Sequence, residues 1–342
     1  MTEVAELNPD AAQLQKRIDR FHAVRDNILA QVRQVIVGQN DVLDQVLIAL
    51  FIGGHCLITG LPGTAKTLLV RTIAETLNLT YKRIQFTPDL MPSDITGTDI
   101  IEEDVTTGHR KWTFVPGPIF GNIVLADEIN RTPPKTQAAL LEAMQEHSCT
   151  VRGHIYKLPE PFFVLATQNP IELEGTYPLP EAQLDRFLFN TVLDYLSASD
   201  ELKVVDLTTT TRVAKVEAVT SAEELLGFHQ LVRMVPIGET LARYVVSLVR
   251  ATRPKSENAP EFVKKYVNYG GSIRAAQFIV LAAKARALSR HRYHVTYDDI
   301  TSLATPVLRH RILLNFHAES ERIDTDEVLR RLIEHMPPPR EA

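Results

Sequence analysis

The chain has 342 residues, of which 44% are hydrophobic and 23% are charged, as is typical of a globular protein with about two domains. Its net charge of −5 indicates no basic coat for nucleic acid, and no apolar run approaches the length of a membrane span. The two cysteines, Cys56 and Cys149, imply no disulfide framework, and the acidic N-terminus lacks the apolar stretch of a signal peptide. We therefore expect a cytoplasmic protein.

Two helices are predicted ahead of the first strand. Residues 1–10 are expected to be disordered. From Ala11 to Val37, apolar residues recur at steps of three and four, which is the spacing of one helix face. A break at Val37-Gly38-Gln39 precedes a second helical segment from Asp41 to Phe51.

The next segment has the layout of a phosphate-binding loop. A buried strand, His55 to Thr59, leads into Gly60-Leu61-Pro62-Gly63-Thr64-Ala65-Lys66-Thr67, and helical spacing follows from Leu68 onward. Backbone N–H groups and a helix N-terminus favour anions in such a turn. Lys66 is predicted to reach the terminal phosphates, and Thr67 is predicted to bind Mg²⁺. The predicted nucleotide contacts are Gly60, Pro62, Gly63, Thr64, Ala65, Lys66, Thr67 and Leu68.

Ala65 stands where this kind of loop usually has glycine. Alanine is unfavourable there if the position requires a positive φ, and harmless if the residue already begins the helix. Val37, Gly38 and Gln39, just ahead of the first strand, are candidates for packing against the adenine of a bound nucleotide. An ordinary turn between two helices is the alternative for that segment.

Polar residues follow two further apolar strands. Ile123 to Ala126 ends in Asp127-Glu128, and Phe162 to Thr167 is followed by Asn169. Continuous apolar strands indicate a parallel sheet buried on both faces, and such sheets bind ligands at their carboxyl edge. Asp127 is predicted to hold Mg²⁺, Glu128 to deprotonate water, and Asn169 to orient that water.

Two hairpins are predicted in addition to the sheet. Residues 99–101 and 111–115 flank a glycine-containing turn, and residues 149–152 and 154–158 flank Gly153. Arg152, His154 and Lys157 make the second hairpin basic near its tip, which is a solvated face or a binding surface.

The remaining candidates are two arginines. Arg186 precedes a fifth strand, Phe187 to Leu193, and suits an arginine finger for a neighbouring subunit; a salt bridge with Asp185 is the alternative. After about Ser197 the pattern becomes helical. Ser272 is a plausible N-cap for the longest of these helices, and Arg274 in its first turn is placed to reach the γ-phosphate.

The assembled motifs resemble those of the MoxR family of AAA+ ATPases across roughly residues 15–335. Besides the phosphate loop, the matching segments are Pro116-Gly117-Pro118, Leu125-Ala126-Asp127-Glu128-Ile129-Asn130-Arg131, Ala166-Thr167-Gln168-Asn169-Pro170 and Pro180-Glu181-Ala182-Gln183-Leu184-Asp185-Arg186-Phe187. The family also favours the Ala-Lys-Thr ending of the loop.

The resemblance implies an α/β fold, a doubly wound αβα domain with a parallel five-stranded sheet and an insertion in its second helix. A C-terminal helical lid would follow, with the core at 11–197 and the lid at 198–342. It implies ring oligomers, most commonly hexamers, with ATP and Mg²⁺ between subunits, Arg186 as the finger and Arg274 as the lid arginine. It also implies a chaperone that remodels or matures protein complexes, including metal-cofactor insertion, often with a partner carrying a von Willebrand factor A domain.

The leading hypothesis is therefore ATP hydrolysis coupled to remodelling of a protein client. A nucleic-acid motor is the second hypothesis, because the hairpins resemble those of helicase relatives, although the acidic net charge disfavours it. A nucleotide-gated scaffold that does not turn over is the third.

Overall fold

The computed structural model describes residues 9–61, 63–103, 110–170, 175–210 and 215–339. Pro62, a predicted nucleotide contact, lies outside these residues, as do residues 1–8 of the segment expected to be disordered. Pro9 and Asp10 of that segment belong to helix α1.

Two N-terminal helices precede the sheet. They are α1 (Pro9–Val32) and α2 (Asn40–Ile52). Helix α1 ends five positions before Val37, because the backbone turns at residues 33–35 and passes through positive φ at Gly38 and Gln39. Helix α2 is buried along most of its length and ends at Gly53, whose left-handed conformation provides the C-cap.

A five-stranded parallel sheet forms the centre of the fold, as predicted. Its strands are β1 (His55–Gly60), β2 (Tyr81–Gln85), β5 (Ile123–Asp127), β8 (Phe163–Gln168) and β9 (Phe187–Leu193). The order across the sheet is β2-β5-β8-β1-β9, and all four pairings are parallel. Every residue of β5 is buried, because helices cover both faces of the sheet.

Helices on the two faces of the sheet come from the connections between strands. These are α3 (Lys66–Thr76), α4 (Pro92–Thr96), α5 (Pro134–Glu146) and α6 (Glu181–Leu184), with a 3₁₀ turn at Ile129–Arg131.

Both predicted hairpins are present. One pairs β3 (Gly97–Glu103) with β4 (Arg110–Pro116), and the other pairs β6 (Ser148–Val151) with β7 (His154–Lys157). Side chains join them. The Phe114 and Tyr156 rings stack with centroids 3.9 Å apart, and the Arg152 guanidinium lies 4.3 Å from the centre of the Trp112 ring. The two hairpins therefore form one unit.

The C-terminal part is helical apart from one small sheet. Its helices are α7 (Ala198–Thr208), α8 (Ala222–Met234), α9 (Glu239–Ala251), α10 (Glu261–Tyr266), α11 (Ile273–Ser289), α12 (Tyr297–Leu308), α13 (Phe316–Ser320) and α14 (Thr325–His335). The short strands β10 (Val267–Tyr269) and β11 (Leu313–Leu314), which the sequence pattern does not reveal, pair antiparallel. No described helix has both the length and the apolar composition that a membrane crossing requires.

The apolar core is continuous between the sheet and the C-terminal helices. Helix α2 packs on β1 and β9 and also on α8 and α11, with Val46 and Ala49 fully buried. A boundary at residue 198 therefore separates the part that contains the five-stranded sheet from the helical part. It does not separate two apolar cores, because α2 packs against both parts.

His55 is a buried polar residue within this core. Its Nδ1 accepts a hydrogen bond from the Val164 N–H at 3.1 Å, so Nε2 carries the proton and donates to the Met144 carbonyl at 3.1 Å. Burial lowers the pKa of His55 from 6.5 to about 4, and the Met144 carbonyl opposes this shift only in part. The neutral ring therefore links β1, β8 and α5.

We predict that this histidine makes the fold sensitive to acid. The lowered pKa means that the neutral ring contributes full stability above pH 6.5, which is lost as the pH falls toward 4. At roughly 1.4 kcal/mol per pKa unit, the loss is about 3 kcal/mol. Denaturant unfolding between pH 7 and pH 4 should show a steeper decline for the wild type than for His55→Gln. Exposed His154→Gln is the control and should follow the wild type; equal slopes for all three proteins would contradict the assignment.

Candidate functional site

A cavity of about 490 Å³ lies at the carboxyl edge of the sheet. It collects the polar residues predicted at the ends of β1, β5 and β8, because parallel strands present these ends on one edge. The lining residues are Gly63, Thr64, Ala65, Lys66, Thr67, Leu68, Asp127, Glu128, Thr167, Gln168 and Asn169. The structure thus brings together the phosphate loop, both carboxylates and the amide.

Two described residues of the loop between β1 and α3 are left-handed. Gly63 has φ 81°, and Ala65 has φ 59° and ψ 25° immediately before α3 begins at Lys66. Ala65 is therefore not the first helical residue, and the harmless alternative for it is wrong. A non-glycine residue in this conformation costs roughly 1–2 kcal/mol. Gly60 is required for a different reason, since a Cβ there would lie 2.7 Å from the Leu193 Cβ.

Lys66 bends back over its own loop. Its Nζ donates to the carbonyls of Gly60 at 2.6 Å and Leu61 at 2.9 Å. Partial burial lowers the pKa of Lys66, while the charges of Asp127 and Glu128 act in the opposite direction. The ammonium group is held at the loop, where a phosphate oxygen can replace the carbonyls as its acceptor.

Asp127 is held from two sides by residues that the sequence pattern did not single out. Its Oδ1 accepts from the Thr167 hydroxyl at 2.6 Å, and its Oδ2 accepts from Arg83 at 2.7 Å and 3.2 Å. Thr167 could have been identified from the sequence, since it lies near the end of an apolar strand and two positions before Asn169. Arg83 could not have been identified in this way, because on β2 it resembles an ordinary solvent-facing residue.

Glu128 has an unusual backbone. Its φ of 58° and ψ of 49° are left-handed, and its N–H donates to the Thr167 Oγ1 at 2.9 Å. Its carboxylate accepts from Gln85 Nε2 at 3.0 Å and lies 3.3 Å from Arg131. Strained residues of this type cluster at functional sites. The turn directs Glu128 away from the strand axis while Asp127 stays within β5.

The residues present fit a magnesium ion bound together with a nucleotide. Mg²⁺ in nucleotide sites commonly uses one or two protein oxygens plus phosphates and water. The Thr67 hydroxyl and the Asp127 carboxylate line the same cavity and supply such oxygens. Among the described residues there is no cluster of three or more acids, histidines or cysteines that would hold a metal by itself.

Of the adenine candidates Val37, Gly38 and Gln39, Gly38 lies beside the start of α7. A Cβ on Gly38 would approach Leu196 Cδ2 to 2.9 Å and Asp200 Oδ2 to 3.3 Å. None of the three is among the described residues that line the 490 Å³ cavity.

The two predicted arginines are also absent from the described lining of that cavity. Arg186 donates from Nη1 to the Leu141 carbonyl at 2.7 Å, and its buried Nε has no hydrogen-bond partner among the described residues. Arg274 Nη1 lies 3.4 Å from Asp185 Oδ2. Arg274 thus contacts the residue next to Arg186 in the chain, and Asp185 forms ion pairs with Arg274 and Arg311 rather than with Arg186.

The parallel sheet, the loop with Lys66 and Thr67, and the acidic pair at the end of β5 define an AAA-type P-loop ATPase domain followed by a helical lid. The family model described as "ATPase family associated with various cellular activities (AAA)" matches residues 55–189, and the model of the AAA lid domain matches residues 261–332.

Comparisons with individual proteins identify the family more closely. Chaperone MoxR1 of Mycobacterium tuberculosis is 40% identical over 90% of this chain and 81% of its own length, and protein MoxR of Paracoccus denitrificans is 31% identical over 90% and 94%. A crystal structure of a candidate ATPase from Cytophaga hutchinsonii is 40% identical, with a TM-score of 0.90, and covers 98% of this chain and 100% of its own. The chain belongs to the MoxR family of AAA ATPases.

Ala65 provides a prediction about the loop. Replacing it with glycine removes the cost of the left-handed backbone, so Ala65→Gly should raise the free energy of unfolding by up to about 1 kcal/mol. The matched control is Ala74→Gly within α3, which should lower it by about 1 kcal/mol or more because glycine weakens a helix interior. Denaturant melts measure both changes. A loss of stability in Ala65→Gly equal to that in Ala74→Gly would contradict the conformation described for Ala65.

Proposed function

We propose that this protein hydrolyses ATP and couples hydrolysis to the remodelling of a protein client. The observation that carries the proposal is the convergence of Lys66, Thr67, Asp127, Glu128 and Asn169 on one cavity at the edge of the sheet. This set contains a phosphate-binding cation, oxygens for a metal, a base and an amide, which are the groups that phosphoryl transfer to water requires.

Each residue has a distinct role in the proposed reaction. The loop N–H groups and Lys66 bind the phosphates, and Glu128 accepts the proton of the attacking water. The Asn169 amide orients that water. A magnesium ion held by Thr67 and Asp127 would neutralise charge on the phosphates.

The site requires a second subunit in this proposal. Arg186 is not among the described residues that line the cavity, and Arg274 contacts Asp185, the residue next to Arg186 in the chain. We therefore place both arginines at the nucleotide of the adjoining subunit in a ring-shaped homo-oligomer, with a hexamer as the expected form. Arginine fingers stabilise the charge that develops on the transferred phosphoryl group.

The hairpins are the surface that we assign to the client. Trp112, Ile101 and Ile155 have exposed fractions of 55%, 53% and 72%, and Ile101 lies directly opposite Trp112, so the hairpins present exposed apolar side chains together. The name of the Mycobacterium tuberculosis relative, a chaperone, supports a protein client. Maturation of protein complexes, including metal-cofactor insertion, and a partner with a von Willebrand factor A domain follow the family resemblance.

The contacts of Arg152 make the nucleic-acid motor the less favoured alternative. Arg152, the arginine of the basic hairpin tip, lies over Trp112 and 3.9 Å from Asp99. Its charge is thus partly balanced within the protein. ATPase activity that rises with added DNA, and a DNA affinity that falls steeply with salt, would favour the motor instead.

The role of Glu128 is tested by Glu128→Gln. The amide keeps the shape but cannot accept the water proton, so kcat should fall by about 10²–10⁴ while nucleotide affinity is retained. Phosphate release and titration with a fluorescent nucleotide measure the two quantities. Exposed Glu146→Gln on α5 is the control and should behave as the wild type. Hydrolysis at the wild-type rate by Glu128→Gln would show that another group is the base.

The placement of the two arginines is tested by mixing inactive variants under conditions where subunits exchange. Arg186→Ala should lower kcat by about 10³–10⁵, and Arg274→Ala should also be impaired. Glu128→Gln mixed with either arginine variant should regain activity, because some interfaces combine an intact Glu128 with intact arginines.

The decisive mixture combines Arg186→Ala with Arg274→Ala. It should stay inactive, since every neighbour then lacks one of the two arginines. Recovery in this mixture would place Arg274 at the nucleotide of its own subunit. No recovery in the mixture of Glu128→Gln with Arg186→Ala would refute the shared site altogether.

A further inference from the structure

The Asp185 carboxylate is the meeting point of three groups from the lid. Arg311 Nε donates to Oδ1 at 2.8 Å, the Ser272 hydroxyl lies 3.0 Å from both oxygens, and Arg274 Nη1 lies 3.4 Å from Oδ2. Asp185 itself belongs to the core, at the end of α6. One carboxylate of the core therefore contacts two separate segments of the lid, the start of α11 and the turn after α12.

The ion pair between Asp185 and Arg311 is the most buried of the three contacts. Only 2% of the Arg311 side chain is exposed, and its Nη2 also donates to the backbone carbonyls of Asp185 at 2.9 Å and Phe187 at 2.6 Å. Burial lowers the pKa of Arg311 to about 10, and the bond to Asp185 opposes this shift. A buried cation needs a counter-charge, so the Arg311–Asp185 pair is expected to stay intact while other contacts change.

The contact with α11 is made at the N-cap of that helix. The Ser272 hydroxyl accepts from the Arg274 N–H at 3.2 Å as the N-cap and donates to Asp185 at the same time. A carboxylate near a helix N-terminus is favourable, whereas a cation there is not. Asp185 therefore compensates for Arg274 and holds the turn from which Arg274 extends.

The contact with Arg274 is the weak one. At 3.4 Å it is the longest of the three, and 42% of the Arg274 side chain is exposed. An incoming phosphate carries more charge than one carboxylate and can take over this guanidinium, while Arg311 and Ser272 keep Asp185 in place.

Asp185 is also covalently next to Arg186. Both residues end α6 through backbone bonds, Asp185 N–H to the Glu181 carbonyl at 3.0 Å and Arg186 N–H to the Gln183 carbonyl at 3.1 Å. The carboxylate that contacts Arg274 therefore belongs to the residue next to the proposed finger, and both residues are held by backbone bonds to α6.

We propose that Asp185 is a positioning residue that holds Arg186 and Arg274 as one unit facing the nucleotide of the adjoining subunit, and that Arg311 ties this unit to the lid. The proposal rests on the proposed function, since it requires both arginines to act across a subunit interface. It predicts that a change at Asp185 impairs the neighbour's active site and leaves the nucleotide site of its own chain intact.

Asp185→Asn is the test variant, because asparagine keeps an oxygen acceptor for Arg311 and Ser272 but loses the charge. The kcat for ATP should fall about 10- to 100-fold, as expected when a reacting group is misplaced by a fraction of an ångström. The nucleotide Kd of the subunit should not change. Mixing Asp185→Asn with Glu128→Gln should restore activity, whereas mixing it with Arg186→Ala should not.

Asp326→Asn is the matched control. Asp326 accepts from Arg309 at 2.6 Å, and Arg309 also donates to the Asn190 carbonyl, so this variant weakens another contact between lid and core without touching α6 or α11. It should retain the wild-type kcat. If Asp185→Asn does not fold, Ser272→Ala replaces it, since it keeps the Arg311 pair and should give a smaller loss with the same mixing pattern.

Three outcomes would overturn the proposal. They are an unchanged kcat in the folded variant, a loss confined to nucleotide affinity, and no recovery in the mixture with Glu128→Gln. The mixture of Glu128→Gln with Arg186→Ala reports separately on the proposed function. If that mixture recovers and the Asp185→Asn mixture does not, the shared site stands and the role of Asp185 is refuted.

Discussion

The hydrogen bonds of the Thr167 hydroxyl hold the candidate site together. Thr167 lies at the end of β8, donates to Asp127 at 2.6 Å and accepts from the Glu128 N–H at 2.9 Å. These bonds are possible because β5 and β8 run parallel and end at the same edge, with Ala126 opposite Ala166. The hydroxyl is fully buried, so neither bond competes with water. The positions of the metal-binding acid and of the base therefore depend on one side chain of the neighbouring strand.

Backbone strain is present at the two places where chemistry is proposed. Ala65 precedes the phosphate-binding lysine and Glu128 is the proposed base, and both are left-handed without being glycine. Each conformation costs roughly 1–2 kcal/mol, which the packing of β1, β5 and their neighbours must offset. At Glu128 the strain has a clear geometric result, since it separates the directions of two consecutive carboxylates. At Ala65 the left-handed backbone turns the chain into the first residues of α3. Lys66 and Thr67, which begin that helix, line the cavity.

The sequence predicted the sheet, both hairpins and the phosphate loop, because these features depend on local patterns. Continuous apolar runs indicate buried parallel strands, and the residues after them fall on one edge whatever the details of packing. The Arg83–Asp127 pair could not be predicted, since it depends on which strand lies next to β5. The same holds for Asp185 and Arg311, which are 126 positions apart. The conformation of Ala65 was left open because two backbone states fit the same residue.

Packing also limits how the lid can respond to nucleotide. A rotation of the whole lid would have to separate α2 from α8 and α11, and this contact belongs to the buried apolar core. Burying a single large apolar side chain contributes about 1.5–3 kcal/mol, so opening such an interface costs far more than one ion pair. The contact of Arg274 with Asp185, at 3.4 Å and partly exposed, is much easier to exchange. A nucleotide-dependent change is therefore expected to begin at Arg274 in the first turn of α11, with the Arg311–Asp185 pair and the α2 interface kept intact.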